Sequence, residues 1–72
     1  MAQSKIIQIS LAAARVNANM TQADVAKEMR VGKQTIVNWE KGNTEPKLEQ
    51  ARELSRIYNM PLDYIFLPSK SN

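Results

Sequence analysis

A chain of 72 residues carrying ten Lys and Arg against seven Asp and Glu, net charge +3, contains no cysteine and no histidine. This excludes a disulfide staple and the usual zinc spacings, and the length allows one domain with a core only marginally large enough to stand alone. No apolar run approaches the roughly 20 residues of a membrane span, and "MAQSKIIQIS" is too short in apolar residues for a secretory signal, so a cytoplasmic protein is expected.

The charges are unevenly spread. Lys27, Arg30, Lys33 and Lys41 lie in the first part of the chain, whereas Glu45, Glu49, Glu53 and Asp63 fall in the second among Lys47, Arg52 and Arg56. A basic front and a balanced back suit a polyanionic partner. Catalysis has little to work with: two glycines, no phosphate-cradling loop, and scattered carboxylates mostly in phase with solvated helix faces. The chain is therefore not expected to be an enzyme, and no cofactor, metal or small-molecule ligand is expected.

In chain order, residues 1–9 form an N-terminal segment in which Ile6, Ile7 and Ile9 suggest extended backbone. Ser10 is a candidate cap for a first helix over about 10–18, whose Leu11, Ala14 and Arg15 share a face, with Asn17 and Asn19 favouring its end. Thr21 caps a second helix over 22–29, with Asp24 at the capping-box position and Val25, Ala26 and Met29 as its buried stripe. A third helix over 33–41 buries Ile36 and Trp39 and closes at Gly42. A fourth, 47–58, has the cleanest period: Leu48, Ala51, Leu54, Ile57 and Tyr58 on one side, Glu49, Arg52, Glu53 and Arg56 on the other. Pro61 opens a fifth over 61–66 that tucks in Leu62, Ile65 and Phe66, and residues 68–72 form a flexible tail after a domain of 10–67. The expected fold is all-α, five short helices.

The second and third helices are joined so closely that they must cross steeply, which makes them a helix-turn-helix. Ile36 and Trp39 occupy the inner face of the third helix. Trp39 is in phase with Ile36 and is read as core rather than as a base-stacking ring. Gln34, Asn38 and Lys41 recur at i, i+4 and i+7 on the outer face, joined by Lys33. Amides pair with the N6 and N7 edge of adenine and lysine reaches O6 and N7 of guanine, so this face fits the major groove.

The stretches "TQADVAKEM" and "QTIVNWEKG", the proline of "TEP" and the closing "LSRIYNMPLDYIF" together resemble the Cro/CI-type, or XRE-type, phage-repressor-like helix-turn-helix family over residues 11–67. The resemblance implies a lambda-repressor-like DNA-binding domain. Residue by residue, it implies base readout by Lys33, Gln34 and Asn38, and backbone contacts by Gln22, Thr35, Lys41 and Asn43. It also implies a structural ion pair between Arg15 and Glu40. Leu11, Val25, Met29, Ile36, Trp39 and Leu54 are the expected core. The chain departs from the family pattern at Arg30, where a turn glycine is usual, at Gly32, where Ser or Thr often caps, and at Lys47, where a small polar residue often follows the proline. A left-handed non-glycine residue costs about 1 kcal/mol.

The function implied is a sequence-specific double-stranded-DNA-binding transcriptional regulator, a small repressor or Cro-like protein of a phage or mobile element. The apolar "IIQI" and "YIFL" stretches suggest a homodimer at least on DNA. Two-fold related recognition helices roughly 34 Å apart would then read an inverted-repeat operator. The alternative is a protein-interaction module, an antitoxin or antirepressor, using the same scaffold.

Overall fold

The computed structural model describes residues 8–66. Strand β1 (Ile9–Ser10) leads directly into helix α1 (Leu11–Asn17), followed by α2 (Gln22–Met29), α3 (Lys33–Lys41) and α4 (Leu48–Ile57). A 3₁₀ turn (Leu62–Tyr64) and strand β2 (Ile65–Phe66) complete the order. β1 and β2 form a parallel pair, Ile9 opposite Ile65 and Ser10 opposite Phe66.

Local chemistry sets the helix starts. Ser10 Oγ accepts from the Ala13 N–H at 3.0 Å, filling one of the donors left open at the head of α1. At α2 the capping box is reciprocal: Thr21 Oγ1 accepts from the Asp24 N–H at 3.0 Å, and the Thr21 N–H donates to Asp24 Oδ2 at 2.8 Å. Hydrogen bonding from Thr21 to the carboxylate, its backbone N–H first and then its side chain, holds the Asp24 carboxyl below its ordinary range. Three non-glycine residues, Asn19, Arg30 and Asn59, turn the chain through positive φ after α1, α2 and α4. Asparagine tolerates this conformation better than most residues.

The core gathers Leu11 and Ala14 from α1, Val25 and Ala26 from α2, Ile36 and Trp39 from α3, Leu54 from α4, then Tyr58 and Ile65. Each large apolar side chain buried this way contributes about 1.5–3 kcal/mol. Met29 is half-buried and packs against this cluster rather than within it.

The fold differs from the sequence expectation in four respects. There is no fifth α-helix over 61–66: after Pro61 only a three-residue 3₁₀ turn forms, and Ile65–Phe66 is a strand. The β-branched and aromatic residues of this segment favour extended backbone, and a helix this short is marginal, so pairing with Ile9–Ser10 competes successfully. The domain is the expected compact all-α kind, but with four helices and a 3₁₀ turn in place of five helices, and a two-stranded clasp joins its two ends. The first and fourth helices are each shorter by a residue at either end, because Ser10, Ala18, Lys47 and Tyr58 serve as caps. Leu48 is 60% exposed; the buried row of α4 starts at Ala51, and the apolar side chain buried at this end is Pro46. Ile6, Ile7, Leu67 and the tail 68–72 lie outside the described residues.

Candidate nucleic-acid interface

Between α2 and α3 the chain has only Arg30, Val31 and Gly32. Arg30 takes the left-handed conformation at φ 59°, ψ 42°, reversing the chain so that the Val31 N–H reaches the Ala26 carbonyl at 3.0 Å. Gly32 then starts α3 at φ −74°, ψ 154°, with no side chain to cap it. Leaving α3, Gly42 at φ 82° makes the second left-handed turn, and the Asn43 N–H bonds the Asn38 carbonyl at 2.9 Å. This six-to-one bond satisfies a carbonyl the helix end would leave open.

On its inner side α3 is tied to both helices before it. Glu40 Oε2 accepts from Arg15 Nε at 2.7 Å, and Oε1 accepts from Arg15 Nη2 at 3.3 Å and from Gln22 Nε2 at 3.0 Å. Arg15 Nη1 also donates to the Met20 carbonyl at 3.0 Å, between α1 and α2. One guanidinium and one carboxylate therefore join α1, the following turn, α2 and α3. The pair is largely desolvated, with side-chain exposures of 15% and 8%, where a two-pronged charge-assisted bond is stronger than at the surface. The hydrogen bond to Glu40 raises the Arg15 pKa above its ordinary value. Burial pushes the nearby Tyr58 hydroxyl up to about 12, with the Glu40 charge adding to the shift and Arg15 opposing it.

The outer side of α3 is polar. Lys33, Gln34 and Lys41 are exposed, while Thr35 and Asn38 are half-buried; Asn43, just past the helix, is exposed. Three of these join in a chain of amides: Gln34 Nε2 donates to Asn38 Oδ1 at 3.2 Å, and Asn43 Nδ2 donates to the same oxygen at 3.3 Å. Lys33, Thr35 and Lys41 share the helix but not this chain. Gln22 lies at the head of α2, its amide turned to Glu40.

A groove of about 460 Å³ between the end of α2 and α4 is lined by Glu28, Met29, Arg30, Glu49, Gln50 and Glu53. Its three carboxylates disfavour a polyanion there. Among the described residues no cluster of carboxylates suits a metal ion, and no helix is long and apolar enough to cross a membrane.

Residues 11–65 match the helix-turn-helix family. The chain belongs to the Cro/CI-type helix-turn-helix family. Among curated relatives, it is 36% identical over 58 residues to the cryptic phage CTXphi transcriptional repressor RstR of Vibrio cholerae, covering 81% of this chain and 52% of that protein. An HTH-type transcriptional regulator of Archaeoglobus fulgidus is 40% identical over 53 residues, 74% of this chain and 75% of the relative. ImmR of Bacillus subtilis, another HTH-type transcriptional regulator, is 31% identical over 52 residues, 72% of this chain and 41% of the relative. The chain thus spans about half the length of the phage repressor it matches. No solved structure matches it. This is a family of DNA-binding transcriptional regulators and not of enzymes.

Several features of the helix-turn-helix were not read from sequence. The Met20 carbonyl as a ligand of Arg15 has no signature, because any residue supplies a carbonyl. Gln50 had one: it stands three residues after Lys47, the capping-box spacing, and its Oε1 accepts from the Lys47 N–H at 2.8 Å. The link from Asn43 to Asn38 depends on the left-handed Gly42, which brings the two amides together.

Proposed function

We propose that the chain is a sequence-specific regulator that represses transcription by occupying an inverted-repeat operator. Two copies pair on DNA, each setting α3 into the major groove. The observation that carries this reading is the two-sidedness of α3. Its inner side is fastened by Ile36, Trp39 and the Arg15–Glu40 pair, while its outer side offers Lys33, Gln34, Asn38 and Lys41 to a partner. In this reading Lys33, Gln34 and Asn38 meet base edges. Thr35, Lys41 and Asn43 meet the sugar-phosphate backbone, and Gln22 does so with the amide hydrogen not given to Glu40. The likeness to a phage repressor supports a phage or mobile-element origin and action in the cytoplasm.

A salt titration of binding to random and to selected duplexes tests it. Phosphate contacts give a steep linear fall of log affinity with log salt on any duplex, and base readout leaves a selected sequence tighter by at least roughly a thousandfold. Lys33→Ala, Gln34→Ala and Asn38→Ala should each lower that ratio. Equal affinity for every duplex would refute specific repression.

A further inference from the structure

The amide chain on α3 has a direction. An amide oxygen carries two lone pairs and an amide nitrogen two hydrogens. Asn38 Oδ1 accepts from both Gln34 Nε2 and Asn43 Nδ2, at 3.2 and 3.3 Å, so both of its lone pairs are engaged within the protein. What Asn38 retains for a partner is its two N–H groups, which donate to no protein acceptor among the described residues. Gln34 gives up one hydrogen and keeps the other together with its carbonyl oxygen.

The backbone brings Asn43 to Asn38. Gly42 at φ 82° turns the backbone so that the Asn43 N–H bonds the Asn38 carbonyl at 2.9 Å, and from that anchor the Asn43 side chain reaches Asn38 Oδ1. Asn43 thus holds Asn38 by backbone and by side chain, at the end of the helix opposite to Gln34.

We propose that Asn43 is a positioning residue that, with Gln34, locks the Asn38 amide with its N–H groups outward and so sets which base Asn38 reads. Two donors match an edge of acceptors, N7 and O6 of guanine or O4 of thymine, and do not complete the donor–acceptor pairing that adenine requires. Gln34, with one donor and one acceptor left, keeps the adenine pairing. The half-site should therefore contain an A·T pair where Gln34 reads and a G·C pair where Asn38 reads, since guanine sets two acceptors side by side and thymine only one. This rests on the DNA-binding reading above, and adds to it the polarity of one contact and the residue outside the helix that imposes it.

The test is operator selection from random duplexes with the full chain, followed by relative affinities for all four bases at each position. Asn38→Ala identifies the base pair in question as the one where discrimination is lost. Asn43→Asp then replaces a donor with a carboxylate, which only accepts; it recruits Asn38 Nδ2 and turns Oδ1 outward. The expected result is a change at that base pair of about tenfold in relative affinity, from G·C toward A·T, whose adenine amino group donates to the exposed oxygen, with Gln34 turning its own carbonyl toward the inverted Asn38 amide. Asn43→Ala should flatten the preference there without creating a new one. A loss of affinity equal for all sequences, with the ranking unchanged, would leave Asn43 its backbone contact alone and overturn the proposal. So would selection of an A·T pair here by the unaltered protein, a result that needs no variant to fold. Failure of the unaltered protein to select any sequence would instead remove the operator reading on which both rest.

Discussion

The two ends of α3 meet the same geometric demand with different residues. Each needs a left-handed turn: before the helix Arg30 supplies it at φ 59°, after the helix Gly42 supplies it at φ 82°. Gly42 pays nothing for that conformation, whereas Arg30 has a Cβ crowded by its own backbone, at about 1 kcal/mol. The lead-in is also uncapped, since Gly32 offers no side-chain acceptor, while the far end is closed by the bond from Asn43 to Asn38. The position of α3 therefore does not rest on its lead-in. It is fixed from the inner side, by buried Ile36 and Trp39 and by Glu40, so a strained lead-in is tolerated.

That account is most exposed at Glu40. Replacing it with Ala leaves the Arg15 guanidinium desolvated and frees Gln22, and should cost about 3 kcal/mol in urea unfolding, the lower end for a buried pair. If the loss is under about 1 kcal/mol, the ends matter more than the inner side. Next comes Gly42→Ala, where a side chain enters the left-handed region; destabilisation of about 1–2 kcal/mol is expected by the same measurement. Arg30→Gly should act oppositely and stabilise by about 0.5–1 kcal/mol, the relief of strain being partly offset by a more flexible unfolded chain.

Two cap substitutions sharpen the comparison at smaller scale. Lys47→Ser would let a hydroxyl accept from the Gln50 N–H while Gln50 Oε1 keeps its bond to the backbone of residue 47, completing a capping box worth about 0.5–1 kcal/mol in thermal melts. Gly32→Ser should add a few tenths of a kcal/mol, roughly the difference between glycine and serine caps. A Cβ there meets nothing within 4 Å and the backbone is already extended, so no strain opposes it. A destabilising Gly32→Ser would mean that the start of α3 needs flexibility.

The helical part of the fold was legible because its signals are local. Ser10 and Thr21 announce helix starts, Gly42 announces an end, and Val25, Ile36, Trp39 and Leu54 keep the helical period that buries them. The segment after Pro61 is ambiguous in sequence because its apolar residues fit a short helix as well as a strand. What decides between them is the pairing of Ile65 with Ile9, a partner distant in sequence and invisible to periodicity. Leu48 was misplaced for a related reason: period assigns a face, but not how far along the helix the neighbouring elements reach. On the candidate interface, residue types and spacing were readable at Lys33, Gln34 and Asn38. The orientation of the Asn38 amide was not, because it is set by a hydrogen bond from beyond the helix.

The parallel clasp of β1 and β2 also bears on the order of assembly. Joining Ile9 to Ile65 closes nearly the whole described chain into a loop, with an entropic cost on the order of 3–4 kcal/mol for a flexible chain of that length. The contacts of α2 with α3 involve near neighbours and carry little of this cost, so refolding kinetics are expected to show them formed early and the clasp closing last, with φ-values near zero at Ile9 and Ile65. On gentle warming the sequence reverses: the terminal ladder exchanges its amide protons first, while the amides at the centre of α3 stay protected until the whole domain opens.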